Sequence, residues 1–129
     1  MTNTYNTGKL GEDLSCEYLI DKNYKILARN FRKTYGELDV IAKSKDKTLV
    51  FVEVKTIKLY STADINNATI SPEDNLTKAK LKKLQKIAVM FAGKHSELFD
   101  DDKGWRIDLI AITLFSSGER PLITHYENI

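Results

Sequence analysis

Two kinds of hydrophobic pattern alternate along the chain. Between Gly8 and Asp21, Leu10, Leu14 and Tyr18 recur at i, i+4 and i+8, which predicts a helix ended by Lys22-Asn23. Beyond it, Tyr24–Ala28 (YKILA) predicts a short strand. Gly36–Lys43 (GELDVIAK) and Thr48–Lys55 (TLVFVEVK) predict two longer ones, β-branched and aromatic-rich, with Lys45-Asp46-Lys47 as the loop of a hairpin. Leu49-Val50-Phe51-Val52 is apolar on both faces, the mark of a central, covered strand. The polar stretch Leu59–Asn75 reads as a mobile loop in which Ser71, Pro72 and Asp74 suit an early helical cap. Helical periodicity returns from Thr77 to Ala92. Leu81, Leu84, Ala88 and Phe91 fall in one arc, Lys78, Lys82, Lys83 and Lys86 in the opposite one, and Gly93 offers a stop. Trp105–Leu114 and Leu122–Tyr126 predict the last strands. A hairpin followed by a helical crossover into another strand implies an α/β fold with a mixed sheet, the crossover strand lying parallel to a hairpin strand.

Composition narrows the class. A length of 129 residues suits one domain. The longest unbroken apolar run, Ile87–Ala92, is six residues, against about 20 for a membrane helix, so no membrane association is expected. Met1–Asn6 is polar and lacks a signal sequence's apolar region, which points to the cytoplasm. Cys16 is the sole cysteine; it excludes an internal disulfide and a cysteine-rich zinc site, and its place inside the first helix suits a small buried residue. His95 and His125 lie near element ends without metal-ligand spacing and read as surface residues. GxxxxGK[ST], GxGxxG and GxSxG are all absent.

Charge changes the picture locally. The net formal charge is only +2, yet Leu76–Ser96 carries six lysines and no acid, while Glu97–Asp102 (ELFDDD) carries four acids. Such polarity describes either a concentrated cationic face or an ordinary solvated helix surface.

The chemistry-bearing residues are Glu12, Asp39, Glu53 and Lys55. Alternation puts Glu53 and Lys55 on one face of their strand. If Lys45–Lys47 form a three-residue loop, Ser44 faces Thr48 and paired residue numbers total 92, so Asp39 faces Glu53 with Cβ atoms about 5 Å apart. A slip of one residue would break this pairing. Two carboxylates that close repel unless a cation lies between them, and Mg²⁺ (or Mn²⁺) is the natural choice. Lys55 would then orient water or offset charge on phosphate, with Glu12 completing the site if the first helix packs across the sheet. The competing reading is an ordinary Glu53–Lys55 ion pair on a strand surface.

Gly36-Glu37-Leu38-Asp39, then Phe51-Val52-Glu53-Val54-Lys55, resembles the YraN-like family of uncharacterised bacterial proteins. That family is similar to the PD-(D/E)XK nuclease superfamily, especially archaeal Holliday-junction resolvases. The resemblance extends to Gly8-x-x-Gly11-Glu12, Arg29-Asn30-Phe31-Arg32, the helix carrying Lys78, and Arg106-Ile107-Asp108. It implies a restriction-endonuclease-like three-layer core, a mixed sheet of about five strands flanked by helices. It also implies a Mg²⁺-dependent endonuclease acting on nucleic acid, DNA above all, with structured or branched DNA as the suggested substrate. In that scheme Asp39, Glu53 and the Val54 carbonyl bind metal, Lys55 positions water and Glu12 assists. Glu37 shares the parity of Asp39, Arg32, Lys78, Lys82 and Lys86 meet phosphates, and a homodimer is plausible. The chain departs from the pattern at Ile57, where an arginine is usual, and in the length of Leu59–Asn75. The alternatives are a nucleic-acid-binding module that does not cut, and an adaptor whose lysine face meets an acidic protein.

Overall fold

The computed structural model describes residues 4–67 and 76–129. Its elements run α1 (Thr4–Asp21), β1 (Lys25–Lys33), β2 (Gly36–Lys43), β3 (Leu49–Leu59), a 3-10 turn (Thr62–Asn67), α2 (Lys78–Lys94), a second 3-10 turn (Ser96–Leu98), β4 (Trp105–Phe115) and β5 (Leu122–Tyr126). The strands form one sheet in the order β1-β2-β3-β4-β5. Every neighbouring pair is antiparallel except β3 and β4, which the α2 crossover makes parallel. This is the mixed α/β sheet that the pattern and the resemblance imply.

Strict alternation along β3 builds a layer on each side. Leu49 and Phe51 face α2 and pack with Leu84, Ile87, Ala88 and Phe91. Val50 and Val52 face α1 and pack with Cys16 and Leu19. The α1 seam differs from the expected Leu10–Leu14–Tyr18 stripe. Leu10 is exposed, while Gly11, Ser15, Cys16 and Leu19 are buried. Gly11 explains the shift: a Cβ there would lie 1.9 Å from Thr56 Oγ1, so the helix lies close on β3 along its small residues. At the start of β2, Gly36 has φ +146°, and a Cβ on it would strike Ile87 of α2.

Several boundaries move. β1 does not stop at Ala28 but runs to Lys33, shifting register between Ile26 and Ala28 and holding Asn30 at φ 51°. β3 continues four residues past Lys55, and Thr62–Asn67 is a 3-10 turn, so the first part of the expected loop is ordered. The Ser71-Pro72-Asp74 cap lies outside the described residues. The observed N-cap of α2 is Thr77, whose side chain accepts from the Lys80 N–H at 3.1 Å. Gly93 does not end the helix, which continues to Lys94. Among the described residues no helix is long and apolar enough to cross a membrane.

Candidate functional site

The site forms where β2 and β3 separate. Ser44 N donates to Thr48 O across the Lys45–Lys47 loop, and the ladder runs from Lys43↔Leu49 to Val40↔Val52, the register derived from that loop. One step further, Asp39 and Glu53 have no backbone pairing to each other. The Asp39 side chain fills the gap, its Oδ2 accepting from the Val54 N–H at 2.8 Å. Glu53 follows the parity of Phe51, faces α2 and is 7% exposed. Its Oε1 receives the Lys80 ammonium at 2.8 Å.

Each neighbour arrives by a definite route. Lys80 sits in the first turn of α2, where the Thr77 cap fixes the helix start. Lys55, half-buried and two residues beyond Glu53 on β3, shares the face of that strand that looks toward α2. Glu12 comes from α1, brought against β3 by the close approach at Gly11. Its Oε1 is buried with no hydrogen-bond partner. Glu37 behaves as its parity implies. It joins Tyr35, Asp39, Glu53, Lys80 and Lys83 around a cleft of about 360 Å³.

Burial, then the charge of Glu53, pushes the Asp39 carboxyl up to about 7; the Val54 N–H opposes this and Glu12 adds to it. Burial works against the charge on Lys80, but the bond to Glu53 outweighs it and raises the ammonium above its ordinary value. Two carboxylates, Asp39 and Glu53, therefore share a half-buried corner with Lys80, and the charge of Glu12, one of whose oxygens is orphaned, acts on Asp39 from α1. An oxygen-only donor set of this kind fits a hard divalent cation.

The other expected contacts stand apart. Arg32 is exposed and pairs with Glu37 at 3.6 Å on the rim of the cleft. Lys78, Lys82 and Lys86 are exposed and line no part of the cleft; Lys82 and Lys86 instead border Val89 and Met90 on the outer face of α2. Sequence reasoning placed Lys80 in no role. The signal was there, because Lys80, Leu84, Ile87 and Phe91 share one helical face and a lysine inside an apolar stripe needs a partner.

A second polar cluster was also missed. Asp108 is fully buried in β4 and accepts from Arg106 Nε at 2.9 Å, His125 Nε2 at 2.7 Å and the Asn128 N–H at 2.9 Å. Burial pushes its carboxyl up, but these donors prevail and hold it below the usual range. His125 is no surface residue: it is enclosed, its Nδ1 lying 3.1 Å from the Tyr18 hydroxyl. Arg106 also donates to the Tyr24 hydroxyl at 2.8 Å. Asp108, His125 and Glu127 offer ligand atoms within 4.8 Å of one another and could hold a metal ion. The Arg106 guanidinium already neutralises Asp108 and lies 3.5 Å from Glu127, so the cluster reads first as a clamp joining β4, β5 and the C-terminal residues. His95 stacks on Phe91 with centroids 4.3 Å apart.

The profile of Uncharacterised protein family UPF0102 matches residues 11–112. The chain belongs to this family. A UPF0102 protein of Fervidobacterium nodosum is 34% identical over 121 residues, covering 94% of this chain and 79% of the relative. UPF0102 proteins of Flavobacterium johnsoniae (92% and 88% covered) and Geobacter metallireducens (94% and 88%) are each 38% identical. The UPF0102 stretch 11–112 takes in Glu12, Asp39, Glu53, Lys55, Lys80 and Asp108 but stops before His125. Among solved structures, that of Pyrococcus furiosus SfsA in complex with Ca²⁺ matches 97% of this chain at 19% identity, with a TM-score of 0.39. The chain spans 64% of SfsA, a likeness too distant to bear on the site.

Proposed function

We propose that this UPF0102 protein is a divalent-metal-dependent endonuclease that hydrolyses phosphodiester bonds of nucleic acid, DNA above all. The observation that carries the reading is the meeting of Asp39 of β2 and Glu53 of β3 with Lys80 of α2 around one cleft, with the charge of Glu12 on α1 also acting on Asp39. Ordinary ion pairing accounts for Lys80 on Glu53. It does not account for a second carboxyl raised to about 7 beside it, nor for the orphaned oxygen of Glu12.

Asp39 and Glu53, with the Val54 carbonyl, would hold Mg²⁺ or Mn²⁺. Such a cation supplies Lewis acidity toward phosphate and acidifies bound water. The chain's own residues do the rest. Asp39, tied to Val54, fixes the middle of β3 where β2 leaves it, and with it the spacing of Glu53 and Lys55. Lys55 orients the attacking water and offsets charge on the phosphate as it is attacked. Glu12, whose charge already acts on Asp39 and whose Oε1 lacks a partner, would assist through water. Arg32 at the rim and Lys78, Lys82 and Lys86 on α2 attract the phosphate backbone from outside the cleft. On this reading the chain acts as one domain in the cytoplasm, with structured or branched DNA as the first substrate to try and a homodimer as the assembly to look for.

The test is cleavage of branched, flapped and single-stranded substrates with Mg²⁺, Mn²⁺ or no metal, with Asp39→Asn as the inactive control. Metal-dependent cutting lost in the variant supports the reading. Tight binding with no cutting under any divalent metal would replace it with a non-cutting nucleic-acid-binding module.

A further inference from the structure

The Lys80–Glu53 contact is more than one ion pair among several. Glu53 is 8% exposed at its side chain, so its charge needs a cation nearby. The sequence supplies one from across the cleft. The Thr77 cap starts α2 so that Lys80 falls on the helix face carrying Leu84 and Ile87, which pack on the sheet beside it. The Lys80 side chain is 39% exposed, so its ammonium can leave Glu53 toward water without disturbing the core. Lys55 shares the Glu53 face of β3 two residues on. Two added positive charges on the same carboxylate would put three cationic groups around Glu53.

We propose that Lys80 is the resident counter-ion of the carboxylate site, and that a divalent cation binds there only by displacing the Lys80 ammonium from Glu53. The inference rests on the reading of Asp39 and Glu53 as metal ligands. It gives Lys80 a positioning role: the ammonium holds the Glu53 side chain in place before the metal arrives. After displacement it stands on the cleft wall with Lys83.

Calorimetric titration with Mn²⁺ tests this on the full chain, using wild type, Lys80→Gln, Lys80→Arg, Lys83→Gln and Glu53→Gln, with melting curves to confirm folding. Lys80→Gln should bind Mn²⁺ about tenfold more tightly, since one charge-assisted hydrogen bond need no longer be broken. Lys80→Arg, which keeps the charge, should stay within about threefold of wild type, and Lys83→Gln, which removes a charge from the same cleft without touching Glu53, within about twofold. Should Lys80→Gln melt early, Lys80→Met serves in its place with the same expectation. Unchanged or weaker affinity in Lys80→Gln (or Lys80→Met), beside wild-type binding that Glu53→Gln abolishes, rejects the Lys80 proposal alone. Equal tightening in Lys83→Gln also rejects it, by reducing the effect to general charge. Failure of every protein to bind Mn²⁺ removes the metal-centre reading and this proposal with it.

Discussion

Replacing Asp39 by Asn should stabilise the metal-free protein. Asp39 is an acid whose folded value lies near 7 against an ordinary 3.8, so between those limits the folded chain holds a proton that the unfolded chain gives up. Stability therefore falls as pH rises from about 4 to about 7 and levels off above. Each pH unit across that window is worth about 1.4 kcal/mol, which sets a ceiling of about 4 kcal/mol for ionised Asp39. Because the side chain is only partly buried, solvent screening reduces this to about 2 kcal/mol. Asparagine keeps an oxygen for the Val54 N–H and loses the charge that Glu53 and Glu12 oppose. For a chain of this size the gain amounts to about 6–8 °C in melting temperature. Paired thermal melts of wild type and Asp39→Asn in EDTA, at half-unit steps from pH 4.5 to 8.5, measure it. The gap should be small near pH 4.5, open through pH 6–7 and reach its full size by pH 8. Added Mn²⁺ should raise wild type alone and narrow or reverse the gap. A variant melting at or below wild type at pH 8, or a gap that ignores pH, would refute the electrostatic account of this corner.

Four further outcomes are expected. Lys55→Ala should keep most of its nucleic-acid affinity and lose about 10²–10³ in single-turnover cleavage rate, measured on any substrate that wild type cuts. Replacing Lys78, Lys82 and Lys86 together by Gln should weaken duplex binding for all sequences alike and shrink the slope of log affinity against log salt by up to about three, as filter binding across a salt series would reveal. Asp108→Asn should cost about 3–5 kcal/mol in urea unfolding at pH 7, because Arg106 keeps its burial and loses its counter-charge. Since Asp108 is held below its ordinary 3.8, its contribution is present at neutral pH and fades only as acid titrates that carboxylate, so the deficit should narrow toward pH 3. Gly11→Ala should cost about 1–3 kcal/mol through its clash with Thr56, and Gly11→Ala combined with Thr56→Ala should recover most of that loss in the same assay.

Much of this architecture was legible before any coordinates. A three-residue loop fixes a hairpin register by arithmetic, and the observed pairs from Lys43↔Leu49 to Val40↔Val52 obey it. The two apolar faces of β3 announced a covered central strand. What escaped depended on contacts between elements distant in sequence. The α1 seam followed the small residues Gly11, Ser15 and Cys16, and at Gly11 Thr56 of β3 leaves no room for a side chain. Strand ends were misjudged for a related reason: residues past Lys55 pair with β4, so β4 rather than local propensity sets where β3 stops. His125 looked like a surface histidine because its partners, Tyr18 and Asp108, lie 107 and 17 positions away. Lys80 is a different failure. Its helical angle put it among Leu84, Ile87 and Phe91, and only the habit of reading lysines as solvated kept it out of the site.

The parallel pairing of β3 and β4 also orders the events of folding. Every partner in that ladder lies 56 positions along the chain, from Leu49↔Trp105 to Leu59↔Phe115. The β1–β2–β3 meander closes only short loops, so it can assemble early, whereas the β3–β4 pair must wait for a long loop closure and for α2 to cover the sheet. Asp39 and Glu53 belong to the early unit, and Lys80 arrives with the late one. With the meander formed first, the two carboxylates would meet before their ammonium does, and their repulsion would bear on the barrier. Divalent cations should speed refolding of this chain, and Asp39→Asn should do the same without them.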